Sequence, residues 1–162
     1  SFFQAPGRCN VFDEHPFRVI VDYGHNAAAM EKMTELVKSL RKRRAIGVLQ
    51  AAGDRRDVDI QAIGRIAARA FDVIVAKEDD IRRGRAIGVV SGLLAAGAQE
   101  GGMKPENIFQ ISNETDAVQH ALAMAQHEDL VVIFADDIPR TWKQVIYFGK
   151  DRSHADADME AE

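Results

Sequence analysis

The segment Val19-Ile20-Val21-Asp22-Tyr23-Gly24-His25-Asn26 decides the fold, because an apolar run stops abruptly at polar and permissive residues. The run has the length of a buried strand, and residues 27–40 follow it with apolar side chains at three-to-four spacing, which predicts a helix. Open α/β sheets bind their ligands outside the carboxyl ends of the strands. The segment therefore predicts a strand-helix unit and, at its strand end, a site made of Asp22, Tyr23, His25 and Asn26.

The same alternation of apolar runs and amphipathic stretches continues along the chain. We predict strands at 18–22, 45–49, 73–76, 108–111, 130–134 and 145–148, and helices at 27–40, 58–70, 85–98 and 115–125. This order predicts an α/β domain of three layers, Rossmann-like, with a mostly parallel six-stranded sheet covered on both faces. Residues 1–149 form this domain in our interpretation, and the acidic segment 150–162, poor in apolar residues, is predicted to be a disordered tail.

Composition limits the class of protein. The 162 residues are 46% hydrophobic and 28% charged, which suits one globular domain, and the net charge of -4 argues against a nucleic-acid partner. No apolar run approaches the roughly 20 residues of a membrane span. The single cysteine, Cys9, cannot form an internal disulfide, which suits the reducing cytoplasm. We expect a cytoplasmic protein with no membrane partner, and we assign no metal ligands.

Charged residues recur directly after three further predicted strands. They lie in the segments 50–57, 77–85 and 135–140. Gly53 permits a sharp turn in the first of these, and the arginines beside it can reach an anion near the next helix. Charge runs are usually solvated surface, but four polar strand ends at one edge of a sheet predict a polar cleft.

The motifs resemble those of a known family. With Pro6-Gly7-Arg8 before it, the segment 19–26 resembles the opening of the C-terminal domain of the Mur ligase superfamily, where a linker arginine precedes a strand ending in Asp-Tyr-Ala-His-Asn-Pro. The further segments 53–57, 71–85 and 129–136 resemble most closely the cyanophycin synthetases within that superfamily. Two residues depart from the pattern: Gly24 stands at an alanine position, and Ala27 replaces the proline.

The resemblance implies the chemistry of an ATP-dependent amide ligase. Such enzymes activate a carboxylate to an acyl phosphate, which the amine of an incoming amino acid attacks. A central domain carries the phosphate loop and the magnesium ligands, and residues 1–8 would end the linker from it. By the resemblance, Arg8 would contact the ATP phosphates and Asp22 the ribose hydroxyls. Tyr23 would pack beside the nucleotide, and His25 and Asn26 would orient phosphate oxygens or the reacting groups.

An incoming arginine would need carboxylates for its guanidinium and a cation for its own carboxylate. The segment 78–85 carries both signs of charge. We therefore expect an amino-acid pocket made of Glu78, Asp79, Arg83 and Arg85, with Arg55 and Asp57 nearby. The alternative interpretation is that these charges only cap a helix and face water.

The chain contains no Gly-x-x-x-x-Gly-Lys-Ser/Thr phosphate loop. We therefore expect it to be inactive alone and to work with the central ATPase domain of a longer parent chain and with a growing peptide. A Mur-type ligase for another amino acid, a ligase that joins preformed aspartyl-arginine dipeptides, and a stand-alone nucleotide or amino-acid binding module remain open. A nicotinamide-dependent oxidoreductase would need a glycine fingerprint after the first strand, and that fingerprint is missing.

Overall fold

A computed structural model describes residues 2–4 and 10–150. Its strands are β1 (Phe2–Gln4), β2 (Asn10–Phe12), β3 (Arg18–Asp22), β4 (Ala45–Leu49), β5 (Val73–Ala76), β6 (Ile108–Gln110) and β7 (Leu130–Phe134). Its α-helices are α1 (Ala27–Ser39), α2 (Asp57–Ala67), α3 (Val89–Glu100), α4 (Glu114–Met124) and α5 (Ile138–Tyr147), and a short 3-10 turn covers Pro105–Asn107. Arg8, Cys9 and all but the first residue of the predicted tail lie outside the described residues.

The strands form one sheet in the order β1-β2-β3-β7-β4-β5-β6. The five strands β3, β7, β4, β5 and β6 pair in parallel in that order. Strands β1 and β2 extend the sheet beyond β3 by antiparallel pairing. Val132 of β7 lies between Ile20 of β3 and Gly47 of β4, so β7 is an interior strand of the parallel part, next to β3. The carboxyl ends of all five parallel strands therefore meet at one edge.

Alternating side chains along the strands feed two separate hydrophobic cores. On one face Ile20, Ile74 and Val132 pack against α1, α2 and α3. On the other face Val21, Val75, Val131 and Ile133 pack against α4 and α5. Because successive side chains of a strand point to opposite faces, strands buried on both faces read as continuous apolar runs. The predicted α/β class, with a mostly parallel sheet covered on both faces, is confirmed.

One predicted element is wrong. Residues 145–148 do not form a strand, because Val145 to Tyr147 belong to α5. Pro139 lies in the first turn of this helix and Asp137 caps it by accepting a hydrogen bond from the Arg140 amide at 3.0 Å. The β-branched and aromatic run at 145–148 hid the helical spacing of buried Thr141 and Val145. With β1 and β2 added, the described residues contain seven strands where the sequence predicted six.

The helix boundaries follow local capping. Asn26 caps α1 by accepting a hydrogen bond from the Ala29 amide at 2.8 Å, so the helix begins at Ala27 without the proline that the resemblance implies. Helix α3 begins at Val89, later than the predicted residue 85. Gly84 and Gly88 have φ values of 86° and 90°, which breaks any helix before that point. Among the described residues, no helix is long and apolar enough to cross a membrane.

Helices α2 and α3 approach closely through glycines. A Cβ at Gly97 would run into the carbonyl oxygen of Gln61, and one at Gly64 would run into that of Leu94. In contrast, a Cβ at Gly92 of the same helix would meet only the Gln110 side chain, at 3.7 Å.

We expect Gly97→Ala to lower the free energy of unfolding by about 1–3 kcal/mol, because the two helices must move apart. Gly92→Ala is the matched control and should raise it by about 0.5–1 kcal/mol, through the higher helix propensity of alanine. Urea unfolding measures both values. Equal effects of the two substitutions would contradict the proposed close contact.

Candidate functional site

The polar cleft lies where the five parallel strands end. Asp22 is the last residue of β3, and Tyr23, His25 and Asn26 follow it. The backbone oxygen of Asp22 accepts a hydrogen bond from the Ala135 amide at 2.8 Å. This bond ties the β3 end to the β7 end. The same edge carries the loops after β4 and β5, so the structure brings the predicted strand-end segments to one side of the sheet.

The residues after β3 line a cavity of about 530 Å³ together with the first turns of α1. Asp22 and His25 are half-buried there, and Tyr23 is 51% exposed. His25 Nδ1 lies 3.0 Å from the Tyr23 carbonyl oxygen, which leaves Nε2 for a ligand. The side-chain oxygen of Asn26 caps α1, so only its amide NH2 group is available to a ligand. The predicted nucleotide residues thus share one cavity, apart from Arg8, which lies outside the described residues.

Arg85 fastens two loops of the cleft together. Its guanidinium donates hydrogen bonds to the carbonyl oxygens of Gly53 and Arg55, both at 2.7 Å, and to Asp57 Oδ1 at 2.8 Å. Gly53 contributes by lacking a side chain, because a Cβ there would collide with the Arg82 carbonyl oxygen. Arg85 and Asp57, both predicted to hold substrate, therefore lie side by side and hold the loop after β4 against the loop after β5.

The other predicted arginines are more exposed. The Arg83 guanidinium lies 3.9 Å from Asp54 Oδ2, and both side chains are more than half exposed. Arg55 is also exposed. The backbone of Arg83 is in the left-handed region, with a φ of 53°. These two arginines lie at the exposed edge of the loops, where their guanidinium groups are accessible to an anion.

Glu78 and Asp79 each bury a carboxylate oxygen that has no hydrogen-bond partner. Glu78 is only 3% exposed, and its Oε2 accepts hydrogen bonds from the Gly88 amide at 2.8 Å and from Ser91 Oγ at 2.8 Å. Its Oε1 and Asp79 Oδ1 are buried and unpaired. Burying a carboxylate oxygen without a donor costs free energy, so Glu78 and Asp79 are both incompletely satisfied within the described residues.

A buried charge network beneath the cleft was not predicted from the sequence. Lys77 Nζ lies 2.7 Å from Glu114 Oε2 and donates to Gln50 Oε1 at 2.6 Å, and the side chains of Lys77 and Glu114 are 0% and 1% exposed. In the sequence Glu114 directly precedes the predicted helix 115–125, and Lys77 is one charge of the segment 77–85. The available signal was that Lys77 directly continues the apolar run of β5, which places its side chain in the interior.

The charges in this region shift each other's pKa. Burial raises the pKa of Asp79 to about 6, and the neighbouring Asp136 carboxylate adds to the rise, whereas Lys77 and His25 oppose it. Burial alone would raise the pKa of Glu114, but the Lys77 ammonium and the hydrogen bonds from the Asp136 and Asp137 amides together outweigh it and lower that pKa to about 2. Burial lowers the pKa of Lys77, and Glu114 opposes that change. Asp79 is therefore the poorly stabilised carboxylate of the cleft.

Comparison with known proteins identifies the family. A family model described as "Mur ligase, glutamate ligase domain" matches residues 7–136. The chain belongs to the Mur ligase family. The cyanophycin synthetase of Trichormus variabilis is 38% identical to this Mur ligase domain over 146 residues, which are 90% of the chain and 16% of that protein. The predicted family, and its resemblance to the cyanophycin synthetases, are confirmed.

Solved structures agree with the fold of this Mur ligase domain. The structure of a UDP-N-acetylmuramoyl-L-alanyl-D-glutamate--2,6-diaminopimelate ligase superposes with a TM-score of 0.69 at 21% identity, covering 81% of the chain and 26% of that protein. Escherichia coli FolC in complex with DHPP and ADP superposes with a TM-score of 0.64 at 25% identity, covering 92% of the chain and 32% of that protein. The Mur ligase domain thus spans a minor part of each of these relatives.

The raised pKa of Asp79 gives a stability change with a defined sign. Between its ordinary pKa of 3.8 and about 6, the unfolded chain has lost the Asp79 proton while the folded chain retains it. Stability from this group is therefore lost as pH rises through that range. We expect Asp79→Asn to raise the melting temperature by a few degrees more at pH 7.5 than at pH 4.5.

Asp59 provides the control for this measurement. A hydrogen bond from Arg56 lowers the pKa of Asp59, so the stabilisation from this exposed group is present above its ordinary pKa. Both pH values lie above that ordinary pKa of 3.8, so Asp59→Asn should change the melting temperature by about the same amount at pH 4.5 and at pH 7.5. A melting-temperature difference for Asp79→Asn that does not depend on pH would contradict a raised pKa.

Proposed function

We propose that this domain closes over ATP in a larger amide ligase and holds the incoming amino acid, arginine, at the end of β5. The observation that carries the proposal is the pair of buried, unpaired oxygens on Glu78 and Asp79. A guanidinium has five N–H donors in a rigid planar fork and suits two carboxylates better than an ammonium does. The cyanophycin synthetase relatives support a ligase of this branch of the family.

The nucleotide side of the proposal rests on the cavity after β3. Asp22 would accept hydrogen bonds from ribose hydroxyls, and Tyr23 would pack against the nucleotide. The first turn of α1 carries no acidic side chain, and a helix N-terminus favours anions, so the cavity fits a phosphorylated ligand. ATP, with its magnesium ion, would supply the phosphoryl group that turns a substrate carboxylate into an acyl phosphate. Arg8 would add a charged contact to the phosphates, and the ADP bound to FolC supports this use of the fold.

The amino-acid side supplies binding and orientation. Glu78 and Asp79 would hold the guanidinium, and Arg83 or Arg55 would meet the carboxylate of the incoming arginine. Its amine would then attack the acyl carbon, so that the amide bond forms, phosphate leaves and the amine loses a proton. His25 and Asn26 would orient the phosphate oxygens or the reacting groups. The central domain of the parent chain and the growing peptide are the partners that this reaction requires.

The test is arginine incorporation by the parent ligase carrying Glu78→Gln or Asp79→Asn. We expect the KM for arginine to rise at least about tenfold, since each substitution removes a charge-assisted hydrogen bond to the guanidinium. The KM for ATP should change less than about twofold, because the nucleotide cavity lies after another strand.

Asp59→Asn is the matched control, since Asp59 is an acidic residue of α2 that pairs with Arg56 at 2.9 Å on the surface. Reversal of the charge at Asp79 that leaves arginine incorporation unchanged would remove the proposed pocket. Incorporation of a different amino acid would support the assignment as an amide ligase and refute arginine as its substrate.

A further inference from the structure

We infer that Lys77 is a positioning residue of the site: through Glu114 its ammonium fixes the loop after β7, and this arrangement presents Asp79 to the ligand. The inference deepens the proposed function, and its kinetic test rests on that function. Its structural test does not, because the inference concerns how the loops are held.

The environment of Lys77 is closed. Within the part of the chain that the structure describes, its Nζ pairs with two side chains, Gln50 after β4 at 2.6 Å and Glu114 at the start of α4 at 2.7 Å. The side chain is 0% exposed, and its ammonium is already paired with the Glu114 carboxylate and the Gln50 side-chain oxygen. Lys77 therefore acts through Glu114.

Glu114 then fixes the β7 end of the cleft. Its carboxylate accepts hydrogen bonds from the Asp136 amide at 2.7 Å, the Asp137 amide at 3.2 Å and Thr141 Oγ1 at 3.1 Å. All three bonds use a Glu114 oxygen as the acceptor, and the buried ammonium favours the ionised carboxylate, in which both oxygens can accept. The loop after β7 and the first turn of α5 are thereby held to β5.

The network closes on the segment that contains Asp79. Arg140 donates to Glu114 Oε1 at 3.0 Å and to Asp80 Oδ2 at 3.2 Å. The Asp80 amide donates to Asp136 Oδ2 at 3.0 Å. Lys77, Glu78 and Asp80 are thus all fixed by their side chains, and Asp79 lies between them with an unpaired oxygen.

A purely stabilising role explains this network poorly. A buried ion pair often contributes no more stability than an apolar pair of similar volume, because both charges lose their hydration. The two apolar cores already fill both faces of the sheet, and this pair lies instead at the strand ends beneath the predicted ligand residues. Its hydrogen bonds lead to loop amides of the cleft, which an apolar pair would leave free.

The structural test measures amide hydrogen exchange by NMR in the 162-residue chain carrying Lys77→Met together with Glu114→Gln. Removing both charges avoids an unpaired buried charge, so the double variant should fold. We expect exchange of the Asp80, Asp136 and Asp137 amides to become at least about tenfold faster, while the β7 amides of Val132 and Ile133 change less than about threefold.

Two further variants keep the inference falsifiable. Arg44→Met breaks another ion pair to a buried carboxylate, Asp129, at the opposite edge of the sheet, and should leave the three loop amides unchanged. Arg140→Leu removes a partly exposed side chain that bonds the Asp80 carboxylate, so exchange at the Asp80 amide should become faster. This variant provides the test if the double variant does not fold. Unchanged exchange of the loop amides in the double variant, if it folds, and in Arg140→Leu would overturn the inference. An equally large increase in the β7 amides would also overturn it.

The kinetic test uses the parent ligase with the same double substitution. A positioning role predicts an arginine KM raised about tenfold with an ATP KM unchanged, whereas a loss of folded enzyme would lower kcat alone. Faster loop exchange with unaltered arginine kinetics would uphold the positioning role and refute arginine binding at Asp79. Unaltered exchange would refute the positioning role whatever the kinetics.

Discussion

The site depends on the parallel pairing of β7 between β3 and β4. This pairing sets Asp22 opposite Phe134 and continues into the hydrogen bond from the Ala135 amide to the Asp22 oxygen. The chain reaches the same edge five times, at the ends of β3, β4, β5, β6 and β7, and so brings Asp22, Lys77 and Asp136 to one edge from strands far apart in sequence. Parallel strands require crossover helices, and these helices leave the strand ends free for short polar loops.

Burial sorts the charges of that edge into two kinds. Lys77 and Glu114 lie beneath the loops and neutralise each other, and Glu114 has the low pKa of a well-stabilised carboxylate. Asp79 lies above them, near Asp136, with a raised pKa and an unpaired oxygen. The first pair is satisfied within the chain, whereas Asp79 Oδ1 has no hydrogen-bond partner among the described residues. Such a contrast within one cleft is typical of functional sites.

Much of the architecture could be predicted because the strands are buried on both faces and read as apolar runs. The five parallel strands are recovered at or within one residue of their bounds. Helix α5 was missed because its apolar residues include the β-branched and aromatic run at 145–148, which favours a strand locally. Strands β1 and β2 are too short to give a periodic signal, and only antiparallel pairing, of β1 with β2 and of β2 with β3, defines them.

Site residues that belong to one continuous motif could be predicted from the sequence, whereas residues that meet only in the folded sheet could not. The cluster after β3 follows from one continuous segment, whereas Lys77 and Glu114 are 37 positions apart and meet only in the folded sheet. Arg85 also shows what sequence alone could not give, since its guanidinium spans three partners on the loop after β4. A motif gives the residue type, but only tertiary contacts decide whether an arginine binds substrate or binds its neighbours.

The same desolvation that raises the Asp79 pKa also favours arginine over a simple amine as the ligand of the proposed pocket. A buried carboxylate is lowest in free energy when a cation reaches it without bringing its water shell, and a guanidinium is less strongly hydrated than an ammonium. Binding such a cation would stabilise the ionised form of Asp79, so ligand and proton would compete for the same oxygen. The cleft thus keeps an unfavourable charge in the free domain, and in our inference the Lys77–Glu114 pair holds the loop in the arrangement that maintains it.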